Sequence, residues 1–232
     1  RLALSFDLQR QFAGNAAHEL RTPLAMMQTK LELFAEEHSN INTETAELVQ
    51  FQMTQVDRLT ALVRTLLEMS NLQSVSRSDE IELAPLIDEI LTDLTTLAEQ
   101  KNITLHQNCE DVHMIGSDTL IYRLLFNLIE NAIKYNHSGG SVTVSMQQEN
   151  QQVLLHIADT GCGIPEKYRE SIFQPFFRVD KSRSRQMGGV GLGLALVREI
   201  AVLHGGSVCV ESGSKDGTTF AVKLPLNGEK TE

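Results

Sequence analysis

Tryptophan is absent from this 232-residue sequence, tyrosine occurs three times, proline five times and cysteine three times. With so few aromatics, the cores must be built mainly from Leu, Ile, Val and Met. Cys109, Cys162 and Cys209 are widely spaced and include no Cys-X-X-Cys pair, so they supply neither a disulfide framework nor a zinc site. They imply a reducing, cytosolic setting. No apolar run approaches the length of a membrane span, and the chain does not open on a charged-then-apolar leader. Positive charge is also scarce: 20 Lys and Arg against 30 Asp and Glu leave a net charge of −10. That balance excludes the basic footprint needed to displace counterions from a nucleic-acid backbone. One compact basic stretch, Arg178 to Arg185, runs against it.

What is present is a globular composition, 41% hydrophobic and 22% charged, sufficient for one large domain or two modest ones. From about residue 4 to 37 apolar residues recur at Leu20, Leu24, Met27, Leu31 and Phe34, alternating steps of four and three. This is the seam of a coiled coil or four-helix bundle. A polar break, His38 to Asn42, precedes a second helix from Thr43, with Leu48, Phe51, Leu59, Leu62, Leu66 and Met69 as its stripe. One hairpin leaves its apolar stripe uncovered, so burial predicts two copies in a dimeric four-helix bundle. The first residues, Arg1 to Asp7, read as helix interior, and the chain is expected to be a portion of something longer.

The Ser-rich stretch Ser74 to Glu80 reads as a linker. Beyond it, helices are expected near 84–101, 117–135 and 192–204, and strands near 103–107, 141–147, 153–159, 207–212 and 218–224. This order predicts an α/β sandwich, separate from the all-α hairpin. The expected domains are 1–74 (helical hairpin), 75–82 (linker), 83–228 (α/β domain) and 229–232 (tail).

Four groups of residues carry the chemistry. The first is His18-Glu-Leu-Arg-Thr-Pro23. His18 lies roughly 120–200° around the helix from Leu20, Leu24, Met27 and Leu31, and so points away from the seam. Thr22 stands one turn above it, and Pro23 bends the helix at a cost of about 3 kcal/mol. An exposed His beside a kink is the plain reading. The alternative is chemical: neutral imidazole is a competent nucleophile, and the adjacent Glu19 carboxylate can take its proton.

The second group, Asn127, Asn131 and Lys134 followed by Tyr135, puts two amides and an ammonium on one helical face. It is either a polar solvent face or a holder of hydrated Mg²⁺ and phosphate oxygens. The third, Asp159-Thr-Gly161-Cys-Gly163, follows a strand. Its glycines let backbone approach a flat ligand, and Asp159 can accept from an adenine amino group or simply cap a turn. The fourth, Gly188-Gly189-Val-Gly191-Leu192-Gly193, opens a helix as a phosphate cradle. It matches neither the dinucleotide-binding fingerprint nor the Walker loop.

The run HELRTPL closely resembles the H-box of sensor histidine kinases. The later groups, with Phe173-Gln-Pro-Phe-Phe177-Arg178, are similar to the N, G1, F and G2 boxes of that family's ATP-binding domain, which shares a fold group with DNA gyrase B, Hsp90 and MutL. The resemblance runs from about Gln11 to Leu226. It implies that His18 is the phosphoacceptor, that Glu19 is its base, and that Glu19 and Thr22 support dephosphorylation of the partner. It makes Asn131 the principal Mg²⁺ ligand with Asn127 assisting. Nucleotide contacts fall to Lys134, Tyr135, Asp159, Gly161, Gly163, Arg178, Gly189, Gly191, Leu192, Gly193 and Thr218. Arg178 to Met187 becomes a mobile ATP lid hinged on the F-box aromatics. ATP-hydrolysing relatives carry a water-activating glutamate where this chain has Asn127, so the phosphoryl group should pass to His18 and not to water.

The expected mechanism swings the ATP-binding domain onto the bundle for in-line transfer to His18, then passes the phosphoryl group to an aspartate of a response-regulator receiver domain. A homodimer, no nucleic acid, and a place on the cytoplasmic side of the cell membrane, reached only through upstream segments, complete the expectation. An ATP-driven clamp of the gyrase or Hsp90 type and a non-catalytic nucleotide-binding scaffold are the rival readings.

Overall fold

The computed structural model describes residues 20–36, 43–179, 191–214 and 217–227. The chain divides after Ser74 into a helical unit and an α/β unit.

In the helical unit, α1 (residues 20–36) and α2 (Thr43–Asn71) close on each other through Leu24, Val56, Val63 and Leu67, with Leu31 and Leu66 at the edge. The seven-residue steps from 24 to 31 and from 56 to 63 bring the same helix face round almost unchanged. This corrects the single stripe expected on each helix. On α1 the stripe splits: Leu24 and Leu31 face α2, whereas Leu20, Met27 and Phe34 remain exposed. On α2 the seam is Val56, Val63 and Leu67, while the expected Leu48, Phe51 and Leu59 are exposed. Each helix carries two apolar stripes, and the hairpin uses one.

In the α/β unit, β1 (Asp79–Glu82) precedes α3 (Leu83–Gln100), β2 (Thr104–Cys109), β3 (His113–Gly116) and α4 (Asp118–Lys134). Then come β4 (Ser141–Glu149), β5 (Gln152–Asp159), α5 (Gly193–Leu203), β6 (Ser207–Ser214) and β7 (Gly217–Pro225). The main sheet runs β2-β4-β5-β7-β6, with β2 and β4 parallel and the remaining neighbours antiparallel. Burial alternates along the strands. Val142, Val144 and Met146 on β4 and Val153, Leu155 and Ile157 on β5 are buried, and α3, α4 and α5 contact the sheet. α4 seals this core with Ile121, Leu124, Leu125, Leu128, Ile129 and Ile133, each fully buried. The resulting layered α/β architecture is the expected fold class, and the expected element ends differ by no more than two residues.

Two strands were not expected. β1 lies within the segment read as linker and pairs antiparallel with β3, Ile81 opposite Met114. Asp79-Glu-Ile-Glu has little strand propensity of its own. Its single apolar residue, Ile81, is 2% exposed, and burial against a distant partner decides its conformation.

Candidate active site

α4 supplies one wall. With its Leu and Ile face sealed in the core, Asn127, Asn131 and Lys134 lie partly buried along another side. Asn127 Nδ2 donates to the Arg123 carbonyl at 2.7 Å, which fixes the amide so that Oδ1 is presented to the start of α5. There a Cβ on Gly193 would lie 2.8 Å from Oδ1, so a side chain at this position would push the Asn127 amide aside. Lys134 Nζ is held by Glu130 Oε1 at 2.8 Å, one turn back. Tyr135, exposed, ends the helix, and its carbonyl accepts the N–H of Cys162 at 3.3 Å.

The second wall is the turn after β5. Asp159 Oδ1 accepts the N–H of Gly161 at 2.8 Å and that of buried Thr218 at 3.3 Å. Burial pushes the Asp159 carboxyl above its usual range, and these two backbone donors oppose the rise. Both bonds fall on Oδ1, which leaves Oδ2 to accept from a ligand amino group. Gly161 has no room for a side chain: a Cβ would lie 2.5 Å from the Tyr135 carbonyl oxygen. The Asp159–Gly163 turn therefore lies flat on the end of α4, and Gly163 takes φ 68°.

The F-box aromatics divide their work. Phe173 is buried edge-on to Phe220, and Phe177 tilts against Tyr168 at 5.7 Å. Phe176 is exposed at φ 65°, a conformation a bulky residue seldom adopts. Its N–H donates to the Gly191 carbonyl at 2.8 Å, so the segments before and after residues 180–190 meet at their base. Arg178 lies against Gly191, and its Nη2 is buried without an acceptor among the described residues. A buried guanidinium nitrogen lacking a partner suits an anionic ligand. Leu192, buried, leads into α5.

Of the expected site, the structure brings Tyr135, Asp159, Gly161 and Thr218 together at the end of α4. Asn127, Leu192 and Gly193 come together further along it, and Arg178 and Gly191 meet at the base of the 180–190 segment. Thr22 is exposed on α1. His18, Glu19, Gly189 and the part of the expected lid beyond Val179 lie outside the described residues. Among the described residues no cluster of three His, Cys, Asp or Glu could hold a metal ion. The oxygen donors of Asn127 and Asn131 fit a Mg²⁺ that keeps most of its water.

Sequence reasoning missed the joint between the two walls. Thr160 Oγ1 donates to Asn136 Oδ1 at 3.2 Å and accepts the Ser141 N–H at 2.9 Å, while Asn136 Nδ2 donates to the Ser141 carbonyl at 2.9 Å. Thr160 sits within the Asp-Thr-Gly run, which was one available clue. Nothing in the spacing marks Asn136.

These features define a class: a helical hairpin followed by a nucleotide-site fold of the gyrase and Hsp90 kind. Residues 116–228 match the family model of histidine kinase-, DNA gyrase B- and HSP90-like ATPases, and residues 8–75 match the His Kinase A (phospho-acceptor) domain. The chain is 36% identical over 228 residues to the sensor histidine kinase RppB of Synechocystis sp., covering 96% of this chain and 50% of that protein. It thus spans half of that relative's length. The catalytic domain of histidine kinase ThkA superposes with a TM-score of 0.59 at 28% identity, over 66% of this chain and 97% of that one. ThkA in complex with the response regulator TrrA shares the fold with a TM-score of 0.67 at 24% identity, over 95% of this chain and 62% of that one. The chain belongs to the sensor histidine kinase family.

Proposed function

We propose that this chain binds Mg-ATP in its α/β unit and transfers the γ-phosphoryl group to His18, acting as a protein-histidine kinase. The observation that carries the reading is the arrangement around α4. A buried carboxylate with an open acceptor stands at one end, an amide oxygen is set against the glycine-rich start of α5, and Arg178, whose Nη2 is buried without an acceptor among the described residues, packs its Cγ beside Gly191. That set can receive an adenine amino group and a polyphosphate.

In this reading Asp159 accepts from the adenine amino group, and Gly161, Gly163 and Thr218 shape the base pocket. Lys134, Tyr135, Arg178, Gly189, Gly191, Leu192 and Gly193 hold the remainder of the nucleotide. Asn131, assisted by Asn127, ligates Mg²⁺. When bound, the ion would neutralise charge on the phosphate oxygens. An imidazole nitrogen of His18 attacks the γ-phosphorus in line, an N–P bond forms, and the bond to the β-phosphate oxygen breaks to release ADP. Glu19 takes the imidazole proton. Asn127, an amide, cannot serve as a water-activating base, which favours transfer over hydrolysis.

The phosphoramidate then passes its phosphoryl group to an aspartate in the receiver domain of a response regulator; a response-regulator protein accompanies ThkA in its complex. Glu19 and Thr22 support the reverse task, dephosphorylation of that partner. The exposed Leu20, Met27, Phe34, Leu48, Phe51 and Leu59 supply a face for a second copy, in keeping with a homodimer. The functional boundary in this reading falls after residue 74, with β1 counted in the ATP-binding unit and not in a linker. Among the described residues no helix is long and apolar enough to cross a membrane. A place on the cytoplasmic side of the cell membrane belongs to the same reading.

Incubation with γ-labelled ATP tests the proposal. Acid-labile, base-stable label on the chain, lost in His18→Ala and in Asn131→Ala, is the expected result. Release of inorganic phosphate with no label on the protein would favour an ATPase clamp instead.

A further inference from the structure

α4 begins without help from its own N-cap. Ser117 is extended and its side chain makes no capping bond, so the donors at this end are met from distant elements. The Asp118 N–H donates to Asp79 Oδ2 at 3.2 Å, and the Ser117 N–H donates to His204 Nε2 at 3.1 Å. Ser117 and His204 are 2% and 3% exposed, so water cannot replace this second bond. The other ring nitrogen settles the tautomer. His204 Nδ1 lies 2.9 Å from the Ile200 carbonyl, which only accepts. Nδ1 therefore carries the proton and Nε2 is a bare acceptor. The ring lies flush on the backbone, since a Cβ on Gly116 would stand 3.0 Å from its Cδ2.

The position of this bond matters. His204 caps the C-terminus of α5, and Ser117 opens α4. At the opposite end of the pair, Gly193 opens α5 against Asn127. At 1.5 Å per residue, Ser117 to Asn127 spans about 15 Å and Gly193 to His204 about 16 Å. The helices are thus antiparallel and pinned at two points with matching separations, one of them at the candidate phosphate site.

We propose that His204 is a positioning residue for nucleotide binding: by accepting the Ser117 N–H it sets the register of α5 on α4. It thereby sets the gap between the glycine-rich start of α5 and the Asn127–Asn131 face. The inference rests on the nucleotide reading of that face. The charged groups nearby are Arg77, whose field opposes a second proton on the ring, and Asp79, which is engaged with Asp118. Burial pushes the His204 pKa below its usual value, in keeping with a neutral acceptor.

Calorimetric titration of the full chain with AMP-PNP and Mg²⁺ compares His204→Asn with His204→Gln. Asparagine keeps a donor for the Ile200 carbonyl and cannot reach Ser117, whereas glutamine presents an acceptor at the Nε2 position. The expected result is affinity about tenfold weaker in His204→Asn and near the unsubstituted value in His204→Gln, as loss of one buried bond predicts. Faster amide exchange at Ser117 should appear in the asparagine variant alone. Equal affinity in all three chains, or equal loss in both variants, overturns the proposal. Should the asparagine variant not fold, a tenfold loss in the glutamine variant is the overturning result. If the unsubstituted chain does not bind AMP-PNP, it is the nucleotide reading that fails. Amide exchange along Gly193–Ala195 then decides the role of His204: the proposal fails if exchange in the asparagine variant matches the unsubstituted chain.

Discussion

The two units treat apolar surface in opposite ways. The hairpin closes through Leu24, Val56, Val63 and Leu67 yet leaves Leu20, Met27, Leu48, Phe51 and Leu59 each about half exposed or more. The α/β unit buries Ile121, Leu124, Leu128, Ile129, Leu155 and Ile157 completely. Among the described residues its exposed large apolar side chains are Tyr135, Phe176, Val179 and Val202, and the first three belong to or adjoin the candidate site. A contiguous apolar stripe repeated at heptad spacing calls for another surface to cover it, whereas a layered core is complete in itself. The contrast separates a hairpin with uncovered apolar surface from an α/β unit with a closed core.

The sharpest way to break that comparison is to charge the exposed stripe. Phe51→Asp combined with Leu59→Asp is expected to convert a dimer wholly to a monomer by light scattering, with the thermal transition of the α/β unit unmoved. A chain that stays dimeric would show that this face is not the interface. Next in size is Leu128→Ala, a cavity in a fully buried position. It should cost about 2–5 kcal/mol in urea unfolding of the α/β unit and leave the dimer intact. Loss of dimerisation in that variant would mean the two units are not energetically separate.

Asp159→Asn sharpens the comparison inside the α/β unit, because burial there holds the carboxyl above its usual value. A group with a raised native pKa contributes stability that is fully present below its unfolded value of about 3.9 and is lost as pH rises through the native value. At neutral pH the buried charge therefore weakens the fold. The amide variant, which keeps an Oδ1 acceptor for Gly161 and Thr218, should melt higher while binding AMP-PNP more weakly. A lower melting temperature would refute the account of Asp159 as a group retained for its ligand. The smallest effect belongs to the hairpin surface. Arg64→Ala removes an exposed ion pair to Glu68 at 3.2 Å and should cost no more than about 0.5 kcal/mol in urea unfolding of the hairpin.

Much of the candidate site was legible because local chemistry announces itself in short runs. Asn127, Asn131 and Lys134 follow helical spacing, Asp159 and Gly161 share one turn, and Gly191 to Gly193 open one helix. What was illegible depends on partners far apart in the chain. Asn136 meets Thr160 across 24 residues, and Ser117 meets His204 across 87. No periodicity encodes such pairings. β1 escaped for the same reason, since Asp79 to Glu82 is extended only because Ile81 finds Met114.

The sequence by itself determined the division into hairpin and α/β unit, the order of elements and the residue types at the site, because helical and strand periods and glycine placement are local properties. The tertiary structure alone decided which of two apolar stripes closes the hairpin. It also decided that Asn127 turns its oxygen to Gly193, and that a buried histidine at the far end of α5 holds the first turn of α4. Those outcomes depend on burial and on the matching of donors with acceptors across the fold, and both are settled only when distant segments pack.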